Sequence, residues 1–225
     1  MRNDIITART AGCALTRRTL ALAGTAAGFV ALAGSRAALA ATEQQELVAR
    51  AKTTLETART DPQFGNSADL FKRARAVMVV PQLVKGGFFL GGDGGNGVLM
   101  ARNAAGGWSD PAFYVLGSVS FGLQIGLEVA EVVLFVMSDK ALRAWMADEV
   151  KLGAAAGLTV LVVGSNAQAS TTTNADVDII AWAKAKGAYA GLTLEGSVIK
   201  PRTEWNAIHY GRPVTPREIL KLPAA

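Results

Sequence analysis

The chain has 225 residues, half of them apolar, and a formal net charge of +5. That length suits one domain with an appendage, and the apolar share excludes a mainly disordered chain. The charge is unevenly placed: residues 1–40 hold Arg2, Arg9, Arg17, Arg18 and Arg36 against Asp4, so the remainder carries only +1. A nearly neutral remainder lacks the basic stripe of a nucleic-acid-binding domain, and no nucleic-acid partner is expected. Cys13 is the only cysteine, which leaves nothing downstream for a disulfide or a thiolate metal site.

Residues 1–40 read as a cleavable export signal. Arg17 and Arg18 stand before an apolar run from Leu20 to Gly34. Ala38-Leu39-Ala40 supplies the small residues that a signal peptidase requires for cleavage after Ala40. The run has 15 residues, fewer than the ~20 needed to span a bilayer. Paired arginines ahead of a weakly hydrophobic Ala/Gly stretch point to the twin-arginine route, with the general secretory route as the alternative. The expected address is the periplasm, with peripheral contact to a membrane. Cys13 follows Thr10-Ala11-Gly12, but no apolar segment precedes it, so it does not read as a lipoprotein cysteine.

From Thr42 to Arg59, Leu47, Val48, Ala51, Leu55 and Ala58 recur at helical spacing among charged residues. Thr42 with Gln45 forms a capping-box pattern, and Asp61-Pro62 ends the helix. Residues 41–66 are therefore expected to be an amphipathic helix and its linker, and 67–225 the main domain. A short helix is predicted over Ser67–Arg73 with Ser67 as its cap. Strands follow at Ala76–Val80, ended by Pro81, and at Gly86–Leu90, then a glycine-rich turn. Further strands are expected at Val98–Ala101, Phe113–Ile125, Val129–Met137, Leu158–Val163, Val177–Ala183, Ala188–Leu194 and Ser197–Lys200. A turn spans Asn103–Gly107. Lys140–Val150 reads as a helix capped by Ser138 or Asp139. A closing helix starts at Thr215-Pro216-Arg217-Glu218, with Pro at the first helical position. The fold class is α+β: a curved, mostly antiparallel sheet of short Gly-rich strands with helices at both ends.

Several motifs fail on their context. Gly92-Asp93-Gly94-Gly95-Asn96-Gly97 fits G-x-G-x-x-G, but the next residues start a strand rather than a helix, so a glycine-rich hairpin is expected there and not a nucleotide site. Thr215, Ser118, Ser120 and Ser197 are candidate hydroxyls outside any G-x-S-x-G elbow. His209, the single histidine, reads as structural. The carboxylate pairs Asp148/Glu149 and Asp176/Asp178 do not make a metal or glycosidase site. No catalytic residue, cofactor or metal is expected, because nucleophile, base and oxyanion donors do not occur together.

Cations form the one suggestive group. Lys72, Arg73 and Arg75 cluster at a helix-to-strand junction, Lys85 precedes the glycine-rich stretch, and Lys184 and Lys186 precede Gly187. Together they form a candidate site for anionic headgroups at a sheet rim, set against an ordinary solvated surface.

Five blocks carry a family likeness: Lys85–Leu90, Gly94–Arg102, Gly107–Ala112, Phe121–Gly126 and Lys186–Gly196. In this order they resemble the SYLF domain. The resemblance implies lipid binding; eukaryotic members recognise phosphoinositides, and yeast members bind actin. Bacterial members are typically exported, which agrees with the leader. In eukaryotic members an N-terminal amphipathic helix assists membrane contact. Here the comparable helix carries only Ala, Leu and Val on its apolar stripe, a weak membrane inserter. The expected partner is thus an anionic lipid or membrane surface, with a structural or protein-partner-binding envelope module as the alternative.

Overall fold

Beyond residue 75 the chain distributes apolar side chains alternately to the two faces of a single sheet. The computed structural model describes residues 43–64, 67–87, 90–103, 106–121, 126–153, 157–163, 177–186, 194 and 196–222. The chain divides into units 1–39 and 40–225, and every described residue lies in the second. The strands are β1 (Ala76–Gly87), β2 (Leu90–Ala101), β3 (Ala112–Phe121), β4 (Gly126–Val136), β5 (Val150–Lys151), β6 (Val160–Val163), β7 (Ile179–Lys186) and β8 (Val198–Pro201). Their order is β5-β8-β3-β2-β1-β4-β7-β6, antiparallel throughout except for β6 on β7. A bridge between Gly153 and Leu158 joins the chain after β5 to the chain before β6, drawing the two edges together. The sheet is therefore strongly curled, with an inner and an outer face.

Helices cover both faces. α1 (43–60) is followed by a 3₁₀ turn at Pro62–Phe64 and by α2 (Ser67–Arg73), α3 (Asp139–Ala144), α4 (Thr203–Tyr210) and α5 (Pro216–Ile219). The inner face, with Met78, Val80, Leu99, Tyr114, Leu116 and Leu134, packs with Trp145 after α3 and Leu220 after α5. Val77, Val79, Val98, Phe113, Phe135 and Trp182 form the outer face beneath α1, α2 and α4.

α1 buries Gln44, Leu47, Ala51, Thr54 and Ala58, the 3–4 spacing of one helical face. Val48 and Leu55 of the predicted stripe are only partly buried, and two polar residues join it. Gln44 is tolerated because its amide donates to the Trp205 carbonyl at 2.9 Å. At the other end Asp61 accepts from Trp182 Nε1 at 2.9 Å. The apolar stripe of this helix is spent on the sheet, and both helix ends are tied down. The Thr42 half of the predicted capping box lies outside the described residues.

The structure corrects several predicted boundaries. Pro81 does not end a strand: β1 runs through it, and the register shifts against both neighbours there. A bulge leaves a position unpaired, which is where a residue without an N–H fits. Nor is Gly92–Gly97 a turn. It lies within β2, paired with β1 and β3, and the β1–β2 connection falls at residues 88–89. Glycine is required there by close approach: a Cβ on Gly95 would sit 2.5 Å from the Gln82 carbonyl and 2.7 Å from Val80 Cγ1.

The helix predicted to reach Val150 stops at Ala144, because Val150 and Lys151 pair with β8. Ser138 caps it, accepting from Ala141 N. Ser67, expected to cap α2, instead donates to the Arg59 carbonyl at 3.2 Å. α4 was not predicted; Asn206, its fully buried residue, bonds both backbone groups of Phe113 and so docks the helix on β3. The Asn103–Gly107 turn, with Gly106 at φ +82, and the Thr215–Glu218 capping box with its proline both form as expected. The strand predicted at 188–194 lies outside the described residues except Leu194.

Candidate functional site

The six cations singled out from the sequence do not form one patch. Lys72 and Arg73 end α2, and Arg75 follows it. Arg73 pairs with Asp69 at 3.4 Å and Arg75 with Asp139 at 3.3 Å. These are exposed pairs of a kind that contributes at most ~1 kcal/mol. Lys85 lies at the far end of β1, about 30 Å away at ~3.3 Å per residue. It shares the inner face with Leu83, whereas Lys184 alternates with Ala183 and shares the outer face with Trp182. Lys186 is in register with Val129, and its side chain lies outside the described residues.

Lys184 has company on the outer face. A cavity of about 280 Å³ opens between α1 and the sheet, lined by Arg50, Thr53 and Thr54 from the helix and Pro81, Gln82, Val129, Glu131 and Lys184 from the strands. The β1 bulge supplies Pro81 and Gln82, and the β4–β7 register sets Glu131 beside Lys184. Thr53 donates its hydroxyl to the Ala49 carbonyl at 3.3 Å; the two cations, the Thr54 hydroxyl and the Gln82 amide around a space of this size can hold a phosphate-sized oxyanion through charge-assisted hydrogen bonds. Arg50 was not a sequence candidate. Its signal was its place beside Ala51 on the flank of the buried helix stripe, legible only once the helix partner was known.

Two of the hydroxyls weighed for catalysis, those of Ser118 and Thr215, are committed elsewhere. Ser118 donates to Asp93 at 2.5 Å, and Thr215 makes the capping box with Glu218, whose carboxyl is held low by the Thr215 hydrogen bonds. Ser197 is fully buried, and the Ser120 side chain lies outside the described residues. His209 is exposed, with its ring edge-on to Phe113 at 5.0 Å and to Tyr210 at 4.9 Å. Tyr210 donates to the Pro111 carbonyl at 2.7 Å, and burial with the nearby Asp110 charge pushes its hydroxyl up to about 12. Asp178 is a pinned structural carboxylate that accepts from Ser138 and Thr159; Asp176 lies outside the described residues. Glu149 pairs with Lys200 at 2.7 Å. Among the described residues no group of three His, Cys, Asp or Glu could hold a metal, and no helix is long and apolar enough to cross a membrane.

The family Ysc84, described as "Las17-binding protein actin regulator", matches residues 117–224. This stretch runs from the end of β3 through α5 and includes β4 and β7 of the cavity wall. The chain belongs to the Ysc84/SYLF family. Similar proteins include Protein YSC84 of Saccharomyces cerevisiae, 32% identical over 163 residues, which are 69% of this chain and 35% of the yeast protein. LAS seventeen-binding protein 3 of the same organism is 30% identical over 155 residues, 68% of this chain and 34% of that protein. SH3 domain-containing YSC84-like protein 1 of Homo sapiens is 29% identical over 166 residues, 73% of this chain and 48% of that protein. The matched SYLF region thus spans a third to a half of these relatives. None of the three names describes an enzyme.

Proposed function

We propose that this SYLF protein is an exported, non-catalytic binding protein for anionic headgroups at a membrane surface. The observation that carries the reading is the convergence of Arg50 and Lys184 with Thr53 and Thr54 on one cavity. α1 is fastened to the sheet through Gln44 and Asp61, so contact with a membrane rests on headgroup charge rather than on insertion of its apolar stripe. Residues 1–40 would deliver the protein to the periplasm, where envelope lipids, and not actin or phosphoinositides, supply the phosphate groups. N-terminal sequencing of the secreted form should begin at Ala41, and Arg17→Lys with Arg18→Lys should retain the precursor.

The test of the activity is co-sedimentation with vesicles of phosphatidylglycerol or of phosphatidylcholine. The protein should pellet with the anionic vesicles only, and salt should weaken it, since screening acts within about 10 Å at 0.1 M. Arg50→Glu with Lys184→Glu should abolish pelleting, while Arg73→Glu should leave it intact. Equal binding to both vesicle types, or loss on Arg73→Glu alone, would overturn the reading.

A second reading is favoured by the family's description as a Las17-binding protein: a module that holds a protein partner. A stoichiometric partner captured from envelope extract, and still captured by the Arg50/Lys184 double variant, would replace the lipid reading with this one.

A further inference from the structure

Across the inner face, near the β1–β2 connection, four neighbouring strands carry one polar row. Ser118 on β3, Asp93 on β2, Lys85 on β1 and Glu128 on β4 are successive partners in register. Alternation places them on the face that further along the same strands bears Leu116, Leu83 and Ala130. Among the described residues, the apolar filling of the curl stops at this row. Glu128 is only 3% exposed, and neither of its carboxylate oxygens has a hydrogen-bond partner among the described residues. Asp93 Oδ1 is likewise buried without a donor, while its Oδ2 accepts the Ser118 hydroxyl at 2.5 Å. The Lys85 ammonium hydrogen-bonds none of these three oxygens.

This arrangement is costly unless something completes it. An ion withdrawn from water is heavily penalised, and buried polar atoms in native proteins nearly always have a partner. Burial raises the Glu128 carboxyl, and the Lys85 charge offsets this only in part. The row has two carboxylates to one lysine, and its one hydroxyl is already donated. It lacks a positive charge and three hydrogen-bond donors.

We propose that the Asp93–Lys85–Glu128 row binds a primary ammonium group. An ammonium brings one positive charge and three N–H donors on a compact head, the number of orphaned acceptors present. A divalent metal fits less well, because no three potential ligands converge among the described residues. An anion would meet two carboxylates against one lysine and is repelled. Lys85 and Asp93 are half-buried and Glu128 lies deeper, so the group enters past the first two and ends on the third. The ammonium can belong to a free amine or to an ethanolamine lipid headgroup. The row lies on the opposite face of the sheet from the Arg50/Lys184 cavity and does not depend on it.

Isothermal titration of the protein with ethanolamine, n-butylamine and tetramethylammonium tests this. Both primary amines should bind saturably and tetramethylammonium, which has charge but no N–H, should not. Glu128→Gln and Asp93→Asn should each weaken amine binding by roughly tenfold, the scale of one charge-assisted hydrogen bond. Thermal melts of both variants report whether they are folded. Arg50→Glu with Lys184→Glu should leave amine binding unchanged, which separates failure of this site from failure of the headgroup cavity. Preference for phosphatidylethanolamine over phosphatidylcholine vesicles, lost in Glu128→Gln, would identify the lipid as the source; amine binding without that preference would identify a soluble amine. No saturable amine binding, equal binding of tetramethylammonium, or unchanged affinity in both folded variants would overturn the proposal.

Discussion

Asp178 and Glu128 are both buried carboxylates, yet the protein treats them in opposite ways. Asp178, beside the start of β7, is 7% exposed and accepts from Ser138 at 2.5 Å and from the Thr159 backbone and hydroxyl at 3.1 and 3.2 Å, with Lys140 at 3.5 Å. Glu128, near the other end of β4, has no hydrogen bond among the described residues. Burial alone would raise both carboxyls. At Asp178 the hydrogen bonds and the Lys140 charge outweigh it, and the carboxyl is held low; at Glu128 nothing outweighs it, and the carboxyl is raised. The two ends of one sheet thus differ in purpose. Where α3, β6 and β7 meet, the donors of Ser138 and Thr159 are spent on Asp178, whereas the glycine-rich end leaves the Glu128 oxygens and Asp93 Oδ1 without a donor among the described residues.

The contrast can be broken most forcefully by Trp145→Ala at the closed end. Trp145 is 1% exposed, and its carbonyl accepts from Tyr114 at 3.1 Å. Urea unfolding should show a loss of about 3–5 kcal/mol.

Asp178→Asn should cost about 1–3 kcal/mol near neutrality. Because its folded pKa is depressed, the stability Asp178 contributes is present above the ordinary carboxyl value and is lost as pH falls through the folded one. The variant's deficit should therefore shrink in acid.

Glu128→Gln should show the opposite sign. A raised folded pKa means that native stability declines as pH rises from the ordinary carboxyl value through the folded one. The variant should be as stable as the parent in acid and more stable at neutral pH. A melt series across pH on both variants checks the pair, and parallel curves would remove the contrast.

Two glycines sharpen it further. Gly95→Ala should lose about 1–3 kcal/mol by overpacking against the β1 bulge. Gly94→Ala, whose Cβ would meet nothing within 4 Å, should change stability by no more than about 1 kcal/mol, in the stabilising direction. Chemical denaturation of the two neighbours is the measurement.

Much of this architecture was legible in the residues. The β-branched runs at Val77–Val80 and Val129–Val136, the helical spacing of Leu47, Ala51 and Ala58, and the Thr215-Pro216 start each encode a local period or cap, and each forms. The errors came where a local signal was overruled by a partner. Pro81 stays inside β1 because the bulge leaves a position unpaired, where a residue without an N–H is tolerated. Gly92–Gly97 is a strand because β1 and β3 pair with it on either side, and glycine stands at 95 and 97 because atoms of β1 occupy the space a side chain would take. α4 escaped notice because its anchor, Asn206, looks unremarkable until Phe113 stands opposite.

The candidate site divides along the same line. Composition and patterning alone determined an α+β chain, nearly neutral beyond residue 40 and with its only cysteine at position 13, and a list of cations that interact with anions wherever they lie. Only the tertiary structure decided which of them act together. It set Lys184 beside Arg50, separated both from Lys85 by the thickness of the sheet, and left Glu128 buried without a donor. Spacing along the chain records which face a side chain takes, but not which other strand will lie beside it, and burial and charge pairing depend on that neighbour.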